Sequence, residues 1–153
     1  SILTVAVFAI FSLLTRSTSL NRVISQQYVA TYLAAEGLEL VKNITASNNF
    51  VCGTPWNTGA EEGPHSVDYL SDELGAPTSA NLKINADGFY QYGTGEPSPF
   101  SRTVMVDLIN TSERSQSVEM RVTSIVKWRG RGGVESEVKL EDHFFNWRPQ
   151  PEC

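Results

Sequence analysis

Few side chains in this 153-residue chain have the types and spacing that catalysis needs. The two histidines, His65 and His143, are far apart in sequence, and neither belongs to a motif with a serine, a cysteine or a metal-ligand partner. Glu36 and Glu39 resemble paired carboxylates, but two acids three residues apart are ordinarily solvated charges on a helix. We therefore expect no catalytic residues and no enzyme activity.

The glycine-rich and acidic segments predict turns rather than ligand sites. Asn85-Ala86-Asp87-Gly88 starts like a calcium loop but lacks the later acidic ligands, so a tight turn explains it better. The segment 129–133 (RGRGG) is short and basic, as the solvated tip of a hairpin would be. The sequence contains no phosphate-binding loop. We expect neither a cofactor nor a metal site.

The two cysteines, Cys52 and Cys153, show no zinc-ligand spacing. In an oxidising compartment they would form one bridge that closes a long loop, which is worth roughly 4–5 kcal/mol in the chain-entropy model. Two unrelated buried thiols are the alternative. We expect the bridge, because the last residue of the sequence is poorly placed for burial.

Charge is unevenly divided along the chain. The formal net charge is −5, of which residues 1–50 contribute +1 and residues 51–153 contribute −6. Nucleic-acid binding needs a basic surface, so we expect no nucleic-acid partner. An acidic second part fits a solvated exterior.

One long helix must position the first third of the chain. Residues 2–14 (ILTVAVFAIFSLL) are almost wholly apolar, and no proline occurs before residue 55. From about residue 17 the pattern is amphipathic, with two stripes at helical spacing. The first stripe is Leu20, Ile24, Tyr28, Thr31, Ala35 and Leu38, and the second is Val23, Ala30, Leu33, Gly37, Leu40, Val41 and Ile44.

Two apolar faces require two partners. One face can hold the protein's own sheet. The other is left for a neighbouring chain, because the small β-rich part of the chain over residues 51–153, which we call the head, cannot cover ~70 Å of helix. We expect a set of helix residues to pack in the core of a filament. They are Ile2, Val5, Phe8, Phe11, Leu14, Val23, Ala30, Leu33, Gly37 and Val41.

The rest of the chain reads as a small β-rich head. Residues 51–100 are rich in glycine and proline and predict loops, with short strands at Asn81–Ile84 and Phe89–Tyr92. Residues 101–147 alternate apolar and polar, as strands with one buried face do. The predicted fold is α+β: a long N-terminal helix over residues 1–50, packed on an antiparallel sheet of three to four strands within a head over residues 51–153.

The helix resembles that of bacterial type IV pilins and related prepilin-type pseudopilins. The resemblance lies in Gln26–Asn43, where Ala35, Glu36, Gly37 and Glu39 precede a basic residue, and it extends to the strand ends Phe100–Val104, Val126–Trp128 and Phe145–Trp147. The family's glutamate within the apolar segment is not found in this chain. Alignment of the apolar run places Ser1 inside a mature family member, so we expect the first helical turns to precede it.

The resemblance implies a structural subunit of an extracellular, pilus-like helical filament. Its partners would be identical subunits, the assembly machinery, the prepilin peptidase and, before assembly, the cytoplasmic membrane. Two other functions are open: a minor or tip pseudopilin of a type II secretion-like system, and a membrane-anchored extracellular module that binds a ligand through loops around Trp56 and Tyr90–Tyr92.

Overall fold

The computed structural model describes residues 2–109, 119–130 and 133–147; before residue 21 it describes side chains only at positions 7, 8 and 12. This part of the chain is α+β, with one long helix and two antiparallel sheets. The elements are α1 (Ile2–Asn48), β1 (Gly63–His65), β2 (Lys83–Ile84), β3 (Tyr90–Gln91), β4 (Glu96–Pro97), β5 (Phe100–Ile109), β6 (Glu119–Arg129) and β7 (Glu135–Phe145).

Helix α1 is 47 residues long and therefore spans about 70 Å. No proline interrupts its hydrogen-bond ladder. Where it ends, the Asn48 side chain donates hydrogen bonds to the carbonyl oxygens of Trp56 and Thr58. The end of the helix is thereby fixed to the first loop of the head.

The larger sheet has the strand order β1-β5-β6-β7, and every neighbouring pair is antiparallel. Val106 lies opposite Val122, and Val126 lies opposite Val138, so apolar side chains of three strands share one face. Helix α1 covers that face. The predictions of an α+β fold and of an antiparallel sheet of three to four strands are confirmed.

The alternation in the sequence did not identify β1. We expected His65 in a loop, but it lies in the three-residue strand β1, opposite Val104 of β5. A strand this short carries no alternating pattern, and Pro64 is tolerated because β1 is an edge strand. Its pairing is determined by the neighbouring strand.

The smaller sheet has the order β3-β2-β4, and its strands are two residues each. β2 and β3 are shorter than the predicted strands, and β4 lies in a segment where we expected loops. The Asn85 side-chain oxygen accepts hydrogen bonds from the backbone N–H groups of Asp87 and Phe89. This confirms the predicted turn.

The core consists of two apolar clusters between helix and sheets. One contains Val41, Val104 and Val122, and the other contains Leu33, Phe100 and Val126. Arg102 on β5 and Ser124 on β6 lie between the two clusters, and both are buried. A polar layer therefore interrupts the core where the middle of the amphipathic helix crosses the sheet.

A candidate assembly surface on the helix

The larger sheet packs against the second of the two apolar stripes predicted on the helix. Ala30, Leu33 and Val41 are buried against the protein's own sheet, and Gly37 is buried with them. We expected these four residues to face neighbouring subunits, and that assignment is wrong within the folded chain. Both stripes are apolar and have the same helical spacing, so periodicity alone does not predict which of them packs against the sheet.

Gly37 shows why the sheet prefers this stripe. A Cβ atom at position 37 would lie 2.5 Å from Ser124 Oγ and 3.2 Å from the Arg102 Cδ atom. Separations below 3 Å do not occur without displacement of one partner. The glycine thus permits a close approach of helix and sheet that a side chain would prevent.

Arg102 joins the helix to two parts of the head. Its Nη1 donates to Leu33 O at 3.0 Å and to Glu36 Oε2 at 2.9 Å, and its Nη2 donates to Val67 O at 2.6 Å. The Arg102 side chain is fully buried, whereas Glu36 retains a third of its side-chain exposure. Our expectation that Glu36 is a solvated helix charge is therefore wrong, while the exposed Glu39 pairs with Lys42.

A tyrosine supports the same arginine from the other side. The Tyr92 hydroxyl donates to the backbone oxygen of Arg102 at 2.8 Å, and the Tyr92 N–H donates to Asp68 Oδ2. Burial raises the pKa of the Tyr92 phenol, which keeps it a neutral donor. Sequence reasoning missed this arrangement, although an arginine at an inward position of β5 was the signal.

The opposite side of the helix is open. Ile24, Tyr28, Thr31 and Tyr32 are all exposed, and we call these four residues the open face. The rings of Tyr28 and Tyr32 lie 4.9 Å apart edge to face, and their hydroxyl oxygens are 3.1 Å apart. The two rings support each other one turn apart and present a fixed aromatic surface to the exterior.

Before Gln26 every described side chain of the helix is exposed. Val23 continues the sheet-side stripe and is 56% exposed, and Phe8 is 78% exposed. The part of the helix before Gln26 is about 36 Å or 24 residues long, and the sheet covers none of its described side chains. Within the side chains that the structure describes, no helical stretch is both long and apolar enough to cross a membrane.

Several predicted residues lie outside the described part. The structure does not describe the side chains of Ile2, Val5, Phe11 and Leu14, so their packing stays a prediction. Cys153 also lies outside the described residues, and its bridge to Cys52 stays a prediction.

Both histidines, the candidates for catalysis or metal binding, have hydrogen-bond partners within the head. His143 Nδ1 lies 2.5 Å from Glu119 Oε1, and its Nε2 lies 3.3 Å from Glu141 Oε1. The hydrogen bonds to Glu119 and Glu141 raise the pKa of His143. His65 Nε2 pairs with the Glu61 carbonyl oxygen at 2.7 Å. Among the described residues no cluster of potential ligands could hold a metal ion.

The loops proposed for ligand binding are only partly accessible. Trp56 is buried in the core, while Tyr90 in β3 and Tyr92 just after it are half-buried against the second core cluster. The open face is thus a group of exposed helix side chains that the described part of the head does not cover. Comparison with protein-family models, with curated proteins and with solved structures found no match.

Proposed function

We propose that this protein is a structural subunit of an extracellular, pilus-like helical filament that assembles through α1. The observation that carries the proposal is the division of the helix: one stripe holds the head, and the open face together with the extension before Gln26 is uncovered. Each fully buried large apolar side chain is worth about 1.5–3 kcal/mol, so exposed Phe8, Val23 and Ile24 favour a state that covers them.

Neighbouring copies of the same helix supply that cover. Contacts between the extension of one subunit and the open face of another differ on the two partners, and repetition of such a heterologous contact gives an open helix rather than a closed ring. The Arg102 contacts with the helix and with Val67 O fix the head on the helix, so every copy presents the same surfaces.

Before assembly, the apolar segment 2–14 lies in the cytoplasmic membrane and the acidic head lies outside. Transfer from lipid into a bundle of identical segments exchanges one apolar environment for another. Packing, rather than new burial from water, then determines whether the fibre forms. The protein acts without catalysis in this proposal.

Electron microscopy of cells and of detergent-extracted full-length chain tests the proposal. We expect fibres that contain this chain as a repeating subunit. Monomeric particles after extraction, with no fibres on cells, would contradict it. A minor or tip pseudopilin would be recognised by a low copy number relative to another subunit in the same fibres.

A further inference from the structure

A groove lies on the outer face of the larger sheet, on the side away from α1. Along β5 and β6, Arg102, Val104 and Val126 are buried under the helix, so the residues that alternate with them point outward. The groove has a volume of about 510 Å³, and we call it the hydroxyl groove. Its sheet side is formed by Ser101, Thr103, Met105, Ile125 and Lys127.

The floor of the hydroxyl groove is continuous. Ser101 lies opposite Lys127, and Thr103 lies opposite Ile125, in the antiparallel pairing of β5 with β6. Thr78 and Ser79, from the loop before β2, line the groove as well. Four side-chain hydroxyl groups therefore belong to residues that surround a short apolar floor.

One lysine in this groove has no counter-charge among the described residues. Lys127 is exposed, and the acids on the neighbouring strand β7 already have other partners. Glu137, directly opposite Lys127, pairs with Lys139 at 3.1 Å. Glu135 pairs with Arg129 at 2.6 Å. The Lys127 ammonium group is therefore available to a carboxylate of a ligand, on a head that is otherwise acidic.

A second cavity adjoins the hydroxyl groove. Its volume is about 430 Å³, and it shares Ser101 and Lys127 with the groove. Asn81, Arg129 and Glu135 also line it, so this cavity is polar and charged. Lys127 thus stands where the two cavities meet, and a ligand longer than one ring can lie across it.

We propose that the two cavities bind an acidic oligosaccharide, one whose sugar rings carry carboxylates as uronic acids do. A carboxylate pairs with the Lys127 ammonium group, and ring hydroxyls exchange hydrogen bonds with Thr78 and Ser101. Side-chain hydroxyls both donate and accept, as sugar hydroxyls do, so the two sets are complementary. The apolar floor of Met105 and Ile125 packs against the C–H groups of a ring.

This floor suits a saccharide better than an extended peptide. Hydrogen bonds between strands lie in the plane of the sheet, and β6 is paired on both sides, with β5 and with β7. A ligand on the face of the sheet therefore meets side chains rather than backbone N–H and C=O groups. Peptide strands are recognised mainly through main-chain hydrogen bonds at an open sheet edge. The inference does not depend on filament assembly, because the groove lies on the face away from α1.

Isothermal titration calorimetry of the full-length chain in detergent, with the linear trimer of galacturonic acid, tests the proposal. The matched ligand is the methyl ester of the same trimer, which keeps the rings and lacks the charges. The variants are Lys127→Gln and Thr103→Val. Lys42→Gln is their control, because it removes the same charge from an exposed position on the helix.

The wild type should bind the acidic trimer roughly tenfold more tightly than the ester. Lys127→Gln should weaken binding of the acidic trimer roughly tenfold, because a charge-assisted hydrogen bond is lost. Thr103→Val keeps the shape of the side chain and should weaken binding about threefold through loss of one hydroxyl. Lys42→Gln should bind as the wild type does.

No binding of the acidic trimer, or equal affinity for the acid and its ester, would overturn the proposal. Equal weakening by Lys127→Gln and Lys42→Gln would also overturn it, because only overall charge would then matter. A triglutamate peptide that binds as tightly as the acidic trimer would reject a saccharide ligand. Should Thr103→Val lower the melting temperature, Lys127→Gln alone decides: weaker binding supports the site, and unchanged binding rejects it.

Discussion

Arg102 Nη1 lies 2.9 Å from Glu36 Oε2, and this contact joins the first part of β5 to the helix inside the core. The guanidinium group has lost its water entirely, while the carboxylate keeps part of its hydration. Such an asymmetric pair behaves differently depending on which partner is removed, because an uncompensated charge is expensive only where it is buried.

The first prediction concerns the acidic partner. Glu36→Ala should lower the free energy of unfolding by about 3 kcal/mol, because it leaves a buried guanidinium without its counter-charge. Glu36→Gln also removes the counter-charge but keeps an oxygen acceptor for Arg102 Nη1, so its loss should be smaller than that of Glu36→Ala by about 1 kcal/mol. Urea unfolding measures both. A negligible loss of unfolding free energy in both variants would show that the contact between Arg102 and Glu36 does not stabilise the fold.

The second prediction concerns the close approach at Gly37. Gly37→Ala should destabilise the protein by about 1–3 kcal/mol through overpacking against Ser124, although alanine is the better helix former. Ser124→Ala should be nearly neutral, since Ser124 Oγ has no hydrogen-bond partner among the described residues. The double variant should recover most of the loss. Simple additivity in this double-mutant cycle would disprove the contact.

The third prediction concerns pH and His143. Its pKa is raised by the hydrogen bonds to Glu119 and Glu141, so protonated His143 stabilises the folded state. The contribution is fully present below the ordinary histidine pKa and is lost as pH rises through the raised value. Melting temperatures measured from pH 5 to pH 8 should therefore fall less in His143→Asn than in the wild type. Parallel curves for the two proteins would exclude the effect.

The fourth prediction separates two positions on one stripe. Val41→Asp buries a carboxylate in the core and should cost about 3–5 kcal/mol of stability. Val23 lies on the same stripe but beyond the sheet. Val23→Asp should therefore change the free energy of unfolding by less than about 0.5 kcal/mol. Chemical denaturation compares them directly. Similar losses would mean that the sheet-side packing extends further along the helix than the structure describes.

Helix and sheet could be predicted because their patterns are strong and local. Alternation at Val104 and Val106 marks the buried side of β5, and the proline-free segment ending at Asn48 marks the helix. These features depend on residues close in sequence, where period and propensity decide the structure.

The candidate site depended on long-range choices that local patterns do not contain. Which stripe meets the sheet follows from Gly37 against Ser124, and the environment of Glu36 follows from Arg102, 66 residues away. Both choices are made by packing between distant segments. The sequence therefore predicted two faces on the helix but misassigned Ala30, Leu33, Gly37 and Val41 between them.

Fibre formation by open-face variants tests the central claim most directly. Ile24→Asp and Tyr28→Asp alter exposed helix positions, and Val134→Asp alters an exposed apolar position between β6 and β7 as a matched control. Electron microscopy should show few or no fibres for the two helix variants and normal fibres for the control, while all three keep the melting temperature of the wild type. Fibres of Ile24→Asp and Tyr28→Asp at wild-type number would contradict assembly through the open face.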